Sequence, residues 1–104
     1  MISPRWRKVK VEVRHSWRDR RKAQHNLDKH NVSFDEAKTI FDDEMYITVI
    51  DEEHSTDEER YITLGLSRRG RLLLVAHTER GRFIRIISAR PATRKEEQFY
   101  AETN

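Results

Sequence analysis

The sequence predicts one α+β domain built on a curved, mainly antiparallel sheet. Four segments of strand character follow one another without a helix between them, and short turn sequences separate most of them. Apolar residues recur at helical spacing before and after this run of strands. The chain has 104 residues, of which 36% are hydrophobic, enough for one modest core. We therefore expect a single domain over residues 1–104, with two N-terminal helices packed on one face of the sheet and a C-terminal helix.

The first elements are a short strand and a mostly exposed helix. Alternating valines over residues 9–13 predict the strand. Residues 19–30 contain only Ala23 and Leu27 as an apolar pair at helical spacing, which predicts a basic helix with a narrow buried stripe. Asn31 is expected to end this helix, because asparagine tolerates the left-handed conformation of a C-terminal cap.

The start of a second helix is marked by its N-terminal cap. Ser33 and Glu36 have the spacing of a capping box, in which each side chain accepts a hydrogen bond from the backbone of the other residue. The helix should therefore begin near Phe34, and the acidic residues 42–44 should end it.

The run of strands follows directly. We expect strands over residues 45–50, 60–66, 72–78 and 82–89. After Pro91, a final helix should pack on the sheet through Phe99 and Tyr100. With the N-terminal helices on one face, the other face is expected to be partly open.

Charge is segregated along the chain. Residues 1–30 hold ten Lys/Arg against three Asp/Glu, residues 31–60 hold two against eleven, and residues 61–104 hold nine against four. If the two basic blocks converge, they form a surface for phosphates, whereas the acidic block marks a rim or a partner contact. The alternative for each block is a solvated charged face.

Composition excludes several classes of site. The chain has no cysteine, which excludes disulfides, thiol nucleophiles and cysteine-ligated zinc. Its five histidines lack metal-binding spacing, and three glycines leave little scope for a nucleotide-binding loop, so we expect no metal and no cofactor. Nothing in the sequence resembles a membrane span or a signal peptide, so we expect a cytoplasmic protein without a membrane partner.

The last expected strand holds the most informative cation. Alternation places Arg85 on one face with Phe83 and Ile87, in the interior of the sheet. A guanidinium in such a place needs a partner. The partner is either a structural carboxylate, such as Glu58 or Glu59, or a phosphate.

RNA cleavage without a metal needs a base for the 2′-hydroxyl, cations for the charged phosphorane and an acid for the leaving 5′-oxygen. Glu59 is the candidate base if it faces the arginines on the open face. His30, at the end of the first helix, is a candidate acid or phosphate contact. With Arg85 and Arg90, these two residues form the expected catalytic set. The further expected RNA contacts are Lys29, Arg60, Arg82 and Arg94.

An ordered set of short motifs also resembles a known family. The motifs are Lys-Ala at 22–23, Asn-Leu at 26–27, Lys-His at 29–30, Val-Ser-Phe at 32–34, Phe-Asp-Asp at 41–43 and Arg-Ile-Ile-Ser-Ala-Arg at 85–90. Together they are similar to the BrnT toxins of type II toxin-antitoxin systems over about residues 15–100, which leaves residues 1–12 as a basic extension. Two positions depart from the family pattern: Arg18 separates Trp17 from Asp19, and Asn31 replaces a glycine.

The resemblance implies a fold similar to the RelE toxins and a ribonuclease activity that arrests translation. It also implies neutralisation by a small BrnA-like antitoxin, in a hetero-oligomer. Lys29-His30, Glu59-Arg60, and Arg85 with Arg90 are implied to lie in or near the site.

Two other functions stay open at this point. A non-catalytic RNA- or DNA-binding module needs only a basic surface. A protein-interaction domain would use its arginines only in ion pairs. Cleavage of RNA and the salt dependence of RNA affinity distinguish these functions from a ribonuclease.

Overall fold

The structure, a computed structural model, describes residues 10–12, 17–55, 58–80 and 83–104. The α+β class and the order of elements predicted from the sequence are confirmed. Most of the predicted basic extension lies outside the described residues. The helices are α1 (Trp17–His30), α2 (Phe34–Lys38), which continues into a 3-10 turn (Thr39–Asp42), and α3 (Arg94–Thr103). The strands are β1 (Lys10–Glu12), β2 (Ile47–Ile50), β3 (Arg60–Leu66), β4 (Leu72–Arg80) and β5 (Phe83–Pro91).

The five strands form one sheet in the order β1-β5-β4-β3-β2. Each neighbouring pair from β2 to β5 is antiparallel, whereas β1 joins the edge of β5 in parallel. Parallel neighbours need a long connection, and here two helices and three strands separate β1 from β5 along the chain. The sequence predicts β1 but not its pairing with β5. No helix within the described ranges is long and apolar enough to cross a membrane.

One face of the sheet carries the hydrophobic core. Helix α2 and its 3-10 extension cover this face, and Ala23 packs against it from α1. The buried core residues are Val32, Phe34, Ala37, Ile40, Phe41, Tyr46, Tyr61, Leu73, Val75, Ile84, Ile86 and Ala89.

The opposite face is less open than expected. Register and alternation place Ile47, Leu64 and Thr78 on this face, and all three are buried. Helix α3 contributes to the cover, because it contacts β3 and its Glu96 bonds to Arg90 on this face. The expected packing of Tyr100 is also seen, since its hydroxyl donates to Asp43, while Phe99 stays half exposed.

A β-bulge interrupts the alternation of β5. His77 pairs with Ile86 and Ala76 with Ser88, which leaves Ile87 as the extra residue. The residues of β5 that face the core therefore have even numbers before the bulge and odd numbers after it. As a result, Ser88 and Arg90 point to the same face as Arg85.

The boundary between α1 and α2 follows local sequence rules. Asn31 has φ 58°, and its N–H donates to the carbonyl of Leu27 at 2.8 Å, which confirms the predicted cap. Ser33 Oγ accepts from the Glu36 N–H at 3.0 Å. The other half of the expected capping box is wrong, because the Glu36 carboxylate bonds to Ser67 Oγ and Arg71 instead. The charged guanidinium of Arg71 is a stronger hydrogen-bond donor to this carboxylate than the backbone amide of Ser33.

The Glu36–Arg71 ion pair predicts an acid-sensitive stability. The hydrogen bond from Arg71 lowers the pKa of Glu36 below its usual 4.5, although burial opposes this shift. Because the folded pKa lies below the unfolded one, the pair stabilises the fold above about pH 4.5, and this stabilisation is lost as pH falls through the folded pKa. Glu36→Gln should therefore lower the free energy of unfolding by about 2–3 kcal/mol at pH 7.

Urea unfolding at pH 7 and pH 3 tests this expectation, with Asp35→Asn as the exposed control on the same helix. The difference between wild type and Glu36→Gln should shrink at pH 3. An equal loss at both pH values would show that the ion pair does not carry the effect.

Candidate nucleic-acid interface

A basic groove lies between α1 and β5. Its volume is about 580 Å³, and it is open to solvent along one side. We call it the α1–β5 groove. Its lining residues are Arg21, Lys22, His25, Asn26, Lys29, His30, Ile87 and Ser88.

The spacing of residues on α1 explains why these side chains share one surface. Residues four apart lie above one another on a helix. Lys22, Asn26 and His30 form one such row, and the row of Arg21, His25 and Lys29 lies beside it. The bulge residue Ile87 and its neighbour Ser88 supply the strand side of the groove.

Asn26 attaches α1 to the edge of β5. Its Oδ1 accepts from the Ala89 N–H at 3.0 Å, and its Nδ2 donates to the carbonyls of Ala89 at 2.9 Å and Val32 at 2.8 Å. On the edge away from β4, strand β1 pairs only with residues 83–85, so among the described residues β5 has no strand neighbour at Ala89 on that edge. The side chain of Asn26, only 5% exposed, takes the place of that missing neighbour. This attachment fixes the width of the groove.

The groove is electropositive. Lys22 and Lys29 are exposed, and neither forms an ion pair within the part of the chain that the structure describes. No carboxylate is among the described residues that line the groove. Unneutralised lysines on a concave surface attract phosphate groups.

Arg85 points to the same face of β5 as Ser88 and reaches the first turn of α1. Its Nη2 lies 3.3 Å from Asp19 Oδ1, and its side chain is 28% exposed. The structural carboxylate considered from the sequence is therefore present, but it is Asp19 rather than Glu58 or Glu59. Glu58 pairs with Arg80 instead.

Arg90 is held by α3 rather than by the groove. Its two terminal nitrogens donate to the two oxygens of Glu96, both at 2.9 Å. The hydrogen bond from Arg90 lowers the pKa of Glu96, and a capping box between Thr93 and Glu96 adds to the effect. Arg94, the first residue of α3, is exposed. Both arginines thus belong to the side of β5 near α3.

The structure does not bring Glu59 to the arginines. Glu59 is exposed and accepts a hydrogen bond from the Tyr61 hydroxyl at 3.0 Å. Tyr61 belongs to the helix-covered face, whereas Arg85 points to the opposite face. The expectation that Glu59 faces the arginines is therefore wrong, because the side of β3 to which alternation assigns Glu59 is the side covered by α2. The expected contact Arg82 lies outside the described residues.

A family model described as the ribonuclease toxin BrnT of type II toxin-antitoxin systems matches residues 17–96. The chain belongs to the BrnT family. Among solved structures it is similar to the ribonuclease toxin BrnT of Brucella abortus, with a TM-score of 0.55 and 18% sequence identity. The match covers 72% of this chain and 91% of that chain, and at this identity it shows a shared fold. A comparison with curated protein sequences returned no match.

Arg60, an expected RNA contact of this BrnT chain, and Arg85, an expected catalytic residue, occupy one row across the sheet. Arg60 lies opposite Thr78, and Thr78 lies opposite Arg85. Thr78 Oγ1 and Arg60 Nε are buried and have no hydrogen-bond partner among the described residues. Buried polar atoms without partners cost stability.

Thr78→Val, which removes the unbonded hydroxyl and keeps the shape, should raise the free energy of unfolding by about 1 kcal/mol. Thr63→Val is the matched control, since the Thr63 hydroxyl bonds to Thr48 and His77 at 2.7 Å each. The control should lose about 1–2 kcal/mol. Equal losses for the two variants in urea unfolding would contradict this assignment.

Two other described histidines of this BrnT chain, His54 and His77, lie outside the groove. His77 is fully buried in the sheet, and burial lowers its pKa to about 3, so it is neutral at physiological pH. His54 is exposed and bonds to Asp51 at 2.9 Å. The ligand atoms of Asp51, Glu53 and His54 lie within 4.8 Å of one another, at the surface. Exposed acidic groups of this kind are common, and we assign no ion to them.

Sequence reasoning identified two of the eight residues that line the groove of this BrnT chain. It predicted Lys29 and His30, but not Arg21, Lys22 or His25. The signal was present, because these residues repeat at the four-residue spacing of the predicted helix. The missing information was which face of the helix lies beside β5.

Proposed function

We propose that this chain is a metal-independent endoribonuclease whose substrate RNA lies in the α1–β5 groove. The observation that carries the proposal is the groove itself, which combines two histidines on one concave surface with two lysines that form no ion pair among the described residues. The described side chains that line the groove include no carboxylate, the ligand that divalent metal ions prefer in nucleases. The donor set therefore favours catalysis by side chains.

The groove suits a single strand of RNA. We propose that Lys22 and Lys29, which both line the groove, each contact a phosphate, and that Ile87 provides an apolar surface for a base or a ribose. Arg85 lies two residues before Ile87, where its guanidinium can exchange Asp19 for a phosphate that carries more charge in the transition state.

The chemistry follows from the histidines. His25 and His30 supply the base and the acid. One imidazole takes the proton of the 2′-hydroxyl as the 2′-oxygen attacks phosphorus. The bond from phosphorus to the 5′-oxygen then breaks, and the other imidazole, in its protonated form, gives this oxygen a proton. The products are a 2′,3′-cyclic phosphate and a 5′-hydroxyl.

The family also implies an antitoxin protein as partner. We propose that this partner is a BrnA-like antitoxin, that it forms a hetero-oligomer with the chain, and that RNA cleavage arrests translation in its absence. The cytoplasmic location stays a prediction from the sequence.

Cleavage of end-labelled RNA by the purified chain in excess EDTA tests the proposed activity. We expect products with 2′,3′-cyclic phosphate ends, and the same products from His54→Ala, which changes an exposed histidine outside the groove. A gel shift without cleavage, with or without added Mg²⁺, would favour the non-catalytic binding module. Cleavage that requires Mg²⁺ would contradict the metal-independent mechanism.

A further inference from the structure

We propose that the free edge of β2 is the docking strand for an extended, basic segment of the antitoxin. The proposal rests on membership of a toxin-antitoxin family and not on the assignment of the RNA groove. Three features of β2 support it: unpaired backbone groups, exposed apolar side chains and an acidic surround.

The backbone of β2 has an unused edge. The Asp51 N–H donates to the Arg60 carbonyl at 2.8 Å, which makes this a hydrogen-bonded pair. Such pairs alternate along an antiparallel ladder, so Ile47 and Val49 also direct their N–H and C=O groups toward β3. Thr48 and Ile50 therefore direct theirs away from the sheet. Strand β2 ends the sheet, and within the described ranges no strand pairs with this edge.

The side chains of β2 do not protect this edge. Val49 is 47% exposed and Ile50 is 44% exposed, and alternation places them on opposite faces of the strand. Edge strands of monomeric proteins usually carry lysine, proline or a bulge that prevents pairing with another chain. The sequence of β2, Ile-Thr-Val-Ile, contains no lysine and no proline.

The charge around β2 identifies the chemistry of the partner. Acidic residues precede the strand at 42–44 and follow it at 51–53, and residues 39–59 contain no lysine or arginine. Of these acids, Asp42 pairs with Arg68 at 2.9 Å. This surround repels RNA phosphates and attracts lysine and arginine side chains. An extended segment that alternates apolar and basic residues would pair with Thr48 and Ile50, cover Val49 and Ile50, and place its cations near the acids.

The docking strand and the groove lie on different parts of the sheet. Strand β2 is three positions from β5, about 14 Å at the usual strand spacing. A segment bound at β2 therefore leaves the groove accessible to the substrate unless another part of the antitoxin covers it. Docking at β2 and inhibition of cleavage should be separable.

Amide hydrogen exchange provides the first test. The probe is the protein encoded by the reading frame next to the gene for this chain, purified with it as a complex. The amides of Thr48 and Ile50 should exchange rapidly in the free chain and at least 100-fold more slowly in the complex. Those of Ile47 and Val49, which face β3, should be protected in both. Unchanged exchange at Thr48 and Ile50 would overturn the docking proposal. Protection of these amides in the free chain that disappears on dilution would also overturn it, because it would indicate that β2 pairs with a second copy of the chain.

A variant provides the second test. Ile50→Pro removes one outward N–H and leaves the bonds to β3 in place, which edge strands tolerate. We expect the Kd for the antitoxin to rise by 10-fold or more, with the thermal melt retained. Phe99→Ser is the matched control, because Phe99 is an equally exposed apolar residue on α3, and it should leave the Kd unchanged.

The outcomes separate this proposal from the proposed function. Normal antitoxin binding by folded Ile50→Pro would overturn the docking site, and so would failure of the neighbouring gene product to bind at all. Neither result affects RNA cleavage by the free chain. Conversely, if the wild-type chain did not cleave RNA, the docking proposal could still be tested by the same two experiments.

Discussion

His30→Ala is expected to lower the rate of RNA cleavage by about 10²- to 10⁴-fold, the usual contribution of a general acid or base. His30 ends α1 and lines the groove beside Lys29. Its loss removes one of the two proton-transfer groups while both groove lysines remain, so RNA affinity should change by less than about threefold, or roughly 0.7 kcal/mol. Single-turnover cleavage at saturating protein separates the two effects.

The second groove histidine, His25, provides a further test of this prediction. His25→Ala should cause a loss in the same range, and the double variant should be little slower than either single variant, because the two residues act as a unit. His54→Ala is the control. A His30→Ala variant that keeps its rate within threefold of wild type would show that His30 only lines the groove.

Asn26→Leu is expected to lower the free energy of unfolding by about 3–5 kcal/mol. The substitution keeps the approximate shape but leaves the N–H and C=O of Ala89 and the carbonyl of Val32 without their partner in a buried place. Each orphaned group costs about 1–3 kcal/mol. Urea unfolding measures the loss.

Gln24→Leu is the control for this experiment, since Gln24 lies exposed on the same helix and bonds only to Asp28 among the described residues. It should change the free energy of unfolding by less than about 0.5 kcal/mol. A loss below 1 kcal/mol for Asn26→Leu would mean that contacts other than Asn26 attach α1 to β5.

The elements that could be predicted from the sequence are those fixed by neighbouring residues. Strand β3 was predicted with its observed bounds, because strand residues fill it and turn residues follow it. Asn31 was predicted as a left-handed cap because few other residues tolerate that conformation. The parallel pairing of β1 was not predictable, since it depends on packing between distant segments.

The site was also predicted only in part, because its arrangement depends on packing between distant segments. Lys29 and His30 were identified from their place at the end of α1, but the partner of Arg85 is Asp19, which lies 66 residues away in the sequence. The separation of Glu59 from Arg85 depends on which face of β3 the helices cover. The bulge at Ile87, which aligns Ser88 and Arg90 with Arg85, leaves no mark in the alternation of the sequence.

RNA is expected to bind in the α1–β5 groove through Lys22 and Lys29. The most direct test of this binding is the salt dependence of affinity for a single-stranded RNA whose 2′-hydroxyls are methylated, which binds but is not cleaved. Each lost phosphate contact lowers the slope of log Kd against log salt concentration by about 0.7. The double variant Lys22→Gln/Lys29→Gln should therefore lower the slope by about 1.4, whereas Lys38→Gln/Lys95→Gln, with the same change of charge outside the groove, should leave it unchanged. Equal slopes for the groove variant and wild type would show that Lys22 and Lys29 do not contact RNA phosphates.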